Sequence, residues 1–308
     1  MRLYRQLDSA TASRPPGRAV TIGAYDGLHV GHRAILAELG RQASAAGLTT
    51  TVVSFEPMPR EFFARGDPPA RLTRFREKFE LLRELGIDEL YCPPFRAIRR
   101  LSPEAFIDEL LIAGLEARCV VVGEDFRFAV RRSGDVATLQ RAGERHGFSV
   151  IGVAPVDWNG RRVSSTDIRL ALGAGDLETA RGMLGRDYSM SGRVVRGLGL
   201  GRKLGFPTAN VNVRRRQTPV DGIFAARVTG LGDAPLNGVA SVGTRPTVGG
   251  EKPLLEVCIF DFDRDIYGQQ ITVQFVERLR EERKYADLDS MVEQMHADVA
   301  AARAALAA

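Results

Sequence analysis

The sequence is short of the residues that build several common protein classes. Among 308 residues only Cys92, Cys119 and Cys258 are cysteine, far apart and with no C-x-x-C pair. That argues against a disulfide framework or a cysteine zinc site and fits a reducing compartment. No apolar run approaches the ~20 residues of a membrane span. The opening MRLYRQLDSA lacks the apolar core of a signal peptide, so the expectation is a cytoplasmic protein with no membrane partner. A G-x-x-x-x-G-K-[ST] phosphate loop is also missing. Aromatics do not alternate with basic residues as an RNA-stacking surface requires. The one pure basic run of note, Arg214-Arg215-Arg216, reads as a solvated loop. The net charge of +5 therefore points to phosphate-rich small molecules ahead of nucleic acid.

What is present falls into two rhythms. From Arg18 to about Val156, apolar strand-like runs (AVTIGAY, LTTTVVSF, ELYC, CVVVG, FSVIGVAPV) alternate with helical stripes such as GHRAILAELGRQASAAG and FREKFELLRELG. Such alternation predicts β-α-β units and an open parallel sheet covered on both faces. Beyond Gly185 come SGRVVRG, GIFAARVTGL, NGVASVG, LLEVCIFDF and QQITVQFVERL, short strands divided by turn residues. Ile271, Val273 and Phe275 alternate with polar neighbours, the period of a half-buried strand. A compact antiparallel β-barrel is predicted there, closed by a helix over about 288–307. The expected class is thus α/β plus β, with domains at 1–186 and 187–308.

Four histidines occur, and two of them stand in one decapeptide, GAYDGLHVGH, from Gly23 to His32. This follows the first long strand and opens a helix, where ligands of open α/β sheets bind. Unpaired N–H groups at the helix start favour an anion, and the imidazoles add donors. Gly31 leaves room for a phosphate near backbone. The glycines at 23, 27 and 31 do not fit a dinucleotide G-x-G-x-x-G fingerprint. No third ligand arrives with the spacing of a metal site. Later, VSSTDIR places Ser164, Ser165 and Thr166 at a helix start, where hydroxyls and N–H groups can hold pyrophosphate oxygens, with Arg169 adding charge.

H-x-G-H after the first strand resembles the nucleotidylyltransferase signature, and VSSTDIR resembles the second motif of that superfamily. The segment GRVVRGLGLGRKLGFPTANV, with Gly197, Gly199, Gly201 and Lys203, looks like the phosphate loop of a riboflavin kinase domain. The combination resembles the bacterial bifunctional riboflavin kinase/FAD synthetase family, through FEPMPREFF, GEDFRF, LGFPTAN, GTRPTVGG, LLEVCIFDF and DIYGQQITVQFVERLR in order.

The resemblance implies phosphorylation of riboflavin by ATP to FMN and ADP, then adenylylation of FMN by a second ATP to FAD and pyrophosphate. It implies Glu256 as general base of the kinase, and Thr208 and Asn210 as holders of Mg²⁺ and nucleotide phosphate. His29 and His32 would stabilise the reacting phosphates, with Gly23, Asp26 and Gly31 in the same loop. Phe62 and Phe128 would meet the flavin ring. Where the family commonly has Phe, Gly and Tyr, this chain has Tyr25, Ala129 and Phe224; Ala129 adds a methyl group to a loop that needs positive φ. Two rival readings remain: a riboflavin kinase with a regulatory first domain, and a nucleic-acid-binding protein using the barrel and the 214–216 run. A homo-oligomer is left open.

Overall fold

The computed structural model describes residues 1–7, 17–197, 201, 204–247 and 250–307. The chain divides into two compact units, Met1–Pro69 with Phe75–Val163, and Ala70–Arg74 with Ser164–Ala308. In the first, strands β1 (Arg2–Tyr4), β2 (Arg18–Ile22), β3 (Thr49–Val53), β4 (Glu89–Tyr91) and β5 (Ala117–Gly123) come in turn. A small hairpin of β6 (Arg127–Phe128) and β7 (Gly134–Asp135) precedes β8 (Ser149–Val153), and β9 (Asp157–Trp158) pairs with β10 (Arg161–Arg162). The main sheet has the order β1-β4-β3-β2-β5-β8 and is parallel throughout.

Every residue of β2, Arg-Ala-Val-Thr-Ile, is buried, as a central parallel strand covered on both faces demands. On one face Ala19, Val52, Leu90 and Val121 meet Leu36, Leu39 and Ala43 of the Val30–Ala46 helix and Leu82 of the Phe75–Glu84 helix. On the other, Val20, Ile22, Val53 and Val120 pack under a π-helical stretch, Phe106–Gly114, and the Val136–His146 helix. Gly47, in the left-handed conformation with φ 63°, ends the Val30–Ala46 helix as its position after the apolar stripe predicts.

The second unit holds the Ser165–Ala174 and Leu177–Leu184 helices and then β11 (Tyr188–Val195), β12 (Ala209–Asn212), β13 (Gly222–Thr229), β14 (Leu236–Thr247), β15 (Gly250–Ile259) and β16 (Gln270–Arg280). These six close into an antiparallel barrel in the order β11-β12-β15-β14-β13-β16. Phe224, Val228, Ala240, Val242, Leu255, Val257, Val273 and Phe275 are sealed inside it. Each full burial of an aromatic or branched side chain contributes about 1.5–3 kcal/mol. The alternate residues face outward, where Ala225 and Phe260 receive Ala302 and Leu306 of the Leu288–Ala307 helix.

Both layers match the sequence reading. Of the main sheet and the barrel, two strands do not appear in it: three-residue β1, too short to show a period, and β12, which begins inside Pro-Thr-Ala-Asn. The compact units part between Val163 and Ser164, because the Leu177–Leu184 helix packs on β11 and β16 of the barrel unit. The rhythm of the sequence, by contrast, changes only beyond Gly185.

Candidate functional site

Between β2 and the helix, residues 23–29 form a loop held from several sides. Gly23 N–H donates to Val53 O at 3.0 Å. Tyr25, Gly27 and Leu28 adopt left-handed backbone, with φ of 50°, 88° and 45°. Only glycine does this freely; Tyr25 and Leu28 are held there by burial, both being inaccessible to solvent. Tyr25 also shares a 2.6 Å hydrogen bond between its hydroxyl and Thr21 Oγ1, and burial pushes its phenol well above the ordinary range. The glycines serve this packing. A Cβ on Gly23 would lie 2.9 Å from the Tyr25 ring, and one on Gly31 would lie 3.3 Å from His29. Asp26 is buried within the same loop.

His29 is the N-cap of the Val30–Ala46 helix, its Nδ1 accepting from the His32 N–H at 3.2 Å. That hydrogen bond assigns the acceptor nitrogen, so in the neutral ring Nε2 carries the proton. The two imidazoles stack at 3.6 Å, and the Tyr25 ring lies 5.0 Å from His32. Burial, and after it the charges of His29 and Lys78, hold His32 well below the ordinary histidine range. His32 is therefore neutral at pH 7. Lys78, which the sequence reading did not single out, lies buried beneath this loop, its Nζ 2.6 Å from the Ala24 carbonyl.

The two expected flavin contacts fall in different settings. Phe62 belongs to a half-buried aromatic group with Phe63 and Phe95, ring centroids 5.3 and 5.4 Å away, and the Arg99 guanidinium lies over it at 5.2 Å. Phe128 is a core residue, stacked on Phe126 and tilted against Phe106. The half-buried Phe126, two residues earlier, is the ring of that pair with a more accessible face. Next to it, Ala129 has φ 65° and ψ −173°, a conformation natural to glycine and strained for alanine.

In the second unit, Ser164 caps the Ser165–Ala174 helix by accepting from Asp167 N–H at 3.2 Å, and its hydroxyl donates to the Asp167 carboxylate. Ser165 and Thr166 occupy the first turn. Arg169 turns onto backbone, with Nε donating to Ala70 O and NH1 to Ser165 O at 2.8 Å. Arg215 likewise reaches inward to Arg71 O and Leu72 O, so the 214–216 run is not one continuous cationic face.

The barrel carries a second constellation. Asn210 on β12 lies directly across from Glu256 on β15, and Ser241 on β14 flanks Glu256 from the other side. Leu254, Glu256 and Cys258 share the outward face of their strand, because side chains alternate along it. Together with Thr208, Phe206 and Met291 and Met295 of the C-terminal helix they line a cavity of about 390 Å³. Burial raises the Cys258 thiol pKa. Arg280 clamps the helix to the barrel by a bidentate pair with Asp298 at 2.8 and 2.7 Å. Thr208 also borders a neighbouring cavity of about 410 Å³, with Phe262, Asp265 and Tyr267. Gly197 and Gly201 press against these polar residues: a Cβ on Gly197 would come 2.4 Å from Asn210 Nδ2, and one on Gly201 3.2 Å from Thr208 Oγ1. Gly199 and Lys203 lie outside the described residues.

The FAD synthetase family model matches residues 11–167 and the riboflavin kinase model residues 184–306. The bifunctional riboflavin kinase/FMN adenylyltransferase of Escherichia coli (strain K12) is 43% identical over 98% of this chain and 97% of its own. That of Pseudomonas fluorescens is 44% identical over 99% and 97%. A solved structure described as a macrolide-efflux protein from Streptococcus pneumoniae is 28% identical, with a TM-score of 0.82 and 96% of each chain covered. Among the described residues no helix is long and apolar enough to cross a membrane. Two domain matches in this order, with relatives of such identity along nearly the whole length, show that the chain belongs to the bifunctional riboflavin kinase/FMN adenylyltransferase family.

Proposed function

We propose that this chain makes FAD from riboflavin in two ATP-dependent steps, FMN by residues 187–308 and FAD by residues 1–186. The observation that carries the kinase half is Glu256, the cross-strand neighbour of Asn210, on the wall of a cavity with one apolar side. The flavin ring lies against Met291 and Met295, and its ribityl 5′-hydroxyl reaches Glu256. Glu256 takes the proton of that hydroxyl as the oxygen attacks the γ-phosphate, which leaves ADP. ATP approaches from the cavity on the other side of Thr208.

Thr208 and Asn210 offer a hydroxyl and a carboxamide oxygen, the hard donors that Mg²⁺ takes alongside nucleotide phosphates. The tight approach of Gly197 and Gly201 fits that role, since a side chain there would displace both donors. Mg²⁺, when bound, neutralises charge developing on the phosphates. Among the described residues no group of three His, Cys, Asp or Glu is placed to hold a metal ion. Thr208 and Asn210 would hold it jointly with the phosphates of ATP.

The second step starts from an ionised nucleophile, because the second pKa of a phosphomonoester is near ~6. No general base is needed; the demand is to hold repelling anions in line. His29 Nε2–H and the neutral His32 orient phosphate oxygens, and the hydroxyls and N–H groups of Ser164, Ser165 and Thr166 take the leaving pyrophosphate. Phe62 and Phe128 support the flavin. The small-molecule partners are riboflavin, FMN and ATP, with no nucleic acid or membrane, and the compartment is the cytoplasm.

Purified protein given riboflavin, ATP and Mg²⁺ is expected to form FMN first and FAD after it, resolved by chromatography with fluorescence. His29→Ala abolishes FAD and leaves FMN formation. Joint loss of both activities in a folded variant would sink the division into two sites.

A further inference from the structure

One buried cation has no part in the mechanism above. Lys78 lies on the Phe75–Glu84 helix, 1% exposed, on the same face as Phe75, Phe79 and Leu82. A lysine at the margin of an apolar stripe normally lays its stem along the surface and keeps the ammonium in water. Here the ammonium points inward. Nζ donates to the Ala24 carbonyl at 2.6 Å and to Ser54 Oγ at 3.1 Å, and the Ser54 hydroxyl reaches the same carbonyl at 3.3 Å. Ser54 follows β3 and is itself tied by its N–H to Tyr91 O at 2.9 Å. Ala24 thus receives a charged and a neutral donor, both mounted on the rigid layers of the sheet. It is the residue directly before Tyr25, where the backbone first enters the left-handed region.

We propose that Lys78 is a positioning residue for adenylyl transfer: by gripping the Ala24 carbonyl it fixes the strand-to-helix loop on which His29 and His32 stand. The inference rests on the reading of that loop as the adenylylation site. Tyr25 and Leu28 are strained in the left-handed region, and strained loops persist only where their surroundings over-determine them. Lys78 is such a tie, and a charge-assisted hydrogen bond is stronger than a neutral one. Its positive charge also favours the neutral form of the His32 imidazole. The Tyr25 ring lies beside that imidazole, its hydroxyl occupied by Thr21.

The test uses the full chain with Lys78→Met, close in length but without charge. Steady-state FMN adenylylation, riboflavin phosphorylation and the NMR titration of the His32 imidazole are measured together. Expected is a fall in kcat for FAD formation on the order of 100-fold, the scale of a small misplacement of reacting groups. KM for ATP and FMN changes by less than about threefold, as loss of a transition-state interaction requires. FMN formation is unchanged, and the His32 midpoint moves up. Ethylammonium restores part of the FAD rate in Lys78→Ala.

Wild-type kcat in Lys78→Met, or a loss confined to KM, overturns the proposal. If Lys78→Met loses the dispersed imidazole signals of a folded first unit, Ser54→Ala decides instead: kcat for FAD falls about fivefold at constant KM, and an unchanged kcat overturns the role. Failure of the wild-type protein to form FAD would defeat the parent reading. FAD from the wild type with an unimpaired Lys78→Met would defeat only Lys78.

Discussion

In the proposed function the loop that carries His29 and His32 and the barrel wall that carries Glu256 solve the same problem, placing groups against phosphate, by opposite means. In the barrel the placement comes from the ladder. Asn210, Glu256 and Ser241 are successive cross-strand neighbours, and alternation along β15 decides that Glu256 faces outward. In the loop no ladder exists. Its shape depends on Tyr25 and Leu28 held left-handed, on a buried lysine, and on one histidine capping the helix through the other's N–H. A site on strands inherits precision from the sheet, whereas a site on a loop must be braced residue by residue. Substitutions near the barrel site should therefore act on chemistry, and those near the loop on geometry.

The sharpest way to break this contrast is Glu256→Gln, which keeps the shape and removes the base. Riboflavin phosphorylation should fall by about 10²–10⁴-fold, the usual worth of a general base. Adenylylation of supplied FMN should stay at the wild-type rate. If both rates fell, or neither did, Glu256 would not be the base of a separate kinase site.

Next in size is a test of the scaffold below the loop. Glu89 and Arg18 begin β4 and β2, at the end of the sheet opposite the loop, with side chains only 1% and 3% exposed and 2.7 Å apart. Arg2, Tyr4 and Thr51 complete the carboxylate's partners. Glu89→Gln leaves Arg18 buried without its counter-charge and should cost about 3 kcal/mol, in the range measured for such broken pairs. Thermal unfolding followed by FAD-forming activity should show the loss, while FMN formation survives to the wild-type temperature. Equal loss of both activities on heating would mean the units do not unfold separately.

Much of this was legible in advance, for identifiable reasons. The parallel sheet and the barrel were read from periodicity, because β2 is buried on both faces and β16 on one. H-x-G-H, VSSTDIR and PTAN are contiguous, so spacing alone exposes them. What escaped depends on long-range partners. Lys78 lies 54 residues from the carbonyl it holds, and its only trace in sequence is a charge in phase with Phe75, Phe79 and Leu82. Phe128 packs with the core because Gly134, six residues on, opens space for its ring, a contact its motif does not show. Gly31 reads as room for phosphate, and the His29 ring fills part of that room. Arg215 reads as solvated and instead reaches carbonyls more than 140 residues away.

A smaller effect separates the sites by pH. The pKa of His32 is lowered in the folded protein, so below about 6.5 the unfolded chain binds the proton that the folded chain refuses. Stability is then fully present above that pH and declines as pH falls through it, by up to about 1.4 kcal/mol per unit for one group. Melting of the first unit between pH 7 and 5.5 should be steeper in the wild type than in His32→Gln. Equal slopes would show that His32 titrates normally in the folded protein.

The smallest expected effect concerns Ala129, and it bears most directly on how a loop site tolerates strain. With φ at 65° and ψ at −173°, Ala129 occupies a region that glycine enters freely and a Cβ opposes. Strain of this kind costs of order 1–3 kcal/mol, part of which glycine gives back through the greater freedom of its unfolded chain. Ala129→Gly should thus stabilise the first unit by about 1 kcal/mol net. The neighbouring Arg131 and Arg132 are also left-handed, so relief at 129 need not stay local. If strain there sets the pose of Phe126 and Phe128, KM for FMN in adenylylation should shift with the stability, while the barrel's KM for riboflavin stays fixed. A gain in stability with both constants unmoved would leave the strain as a property of the scaffold, and the contrast between a braced loop and a laddered wall would then rest on the histidine loop alone.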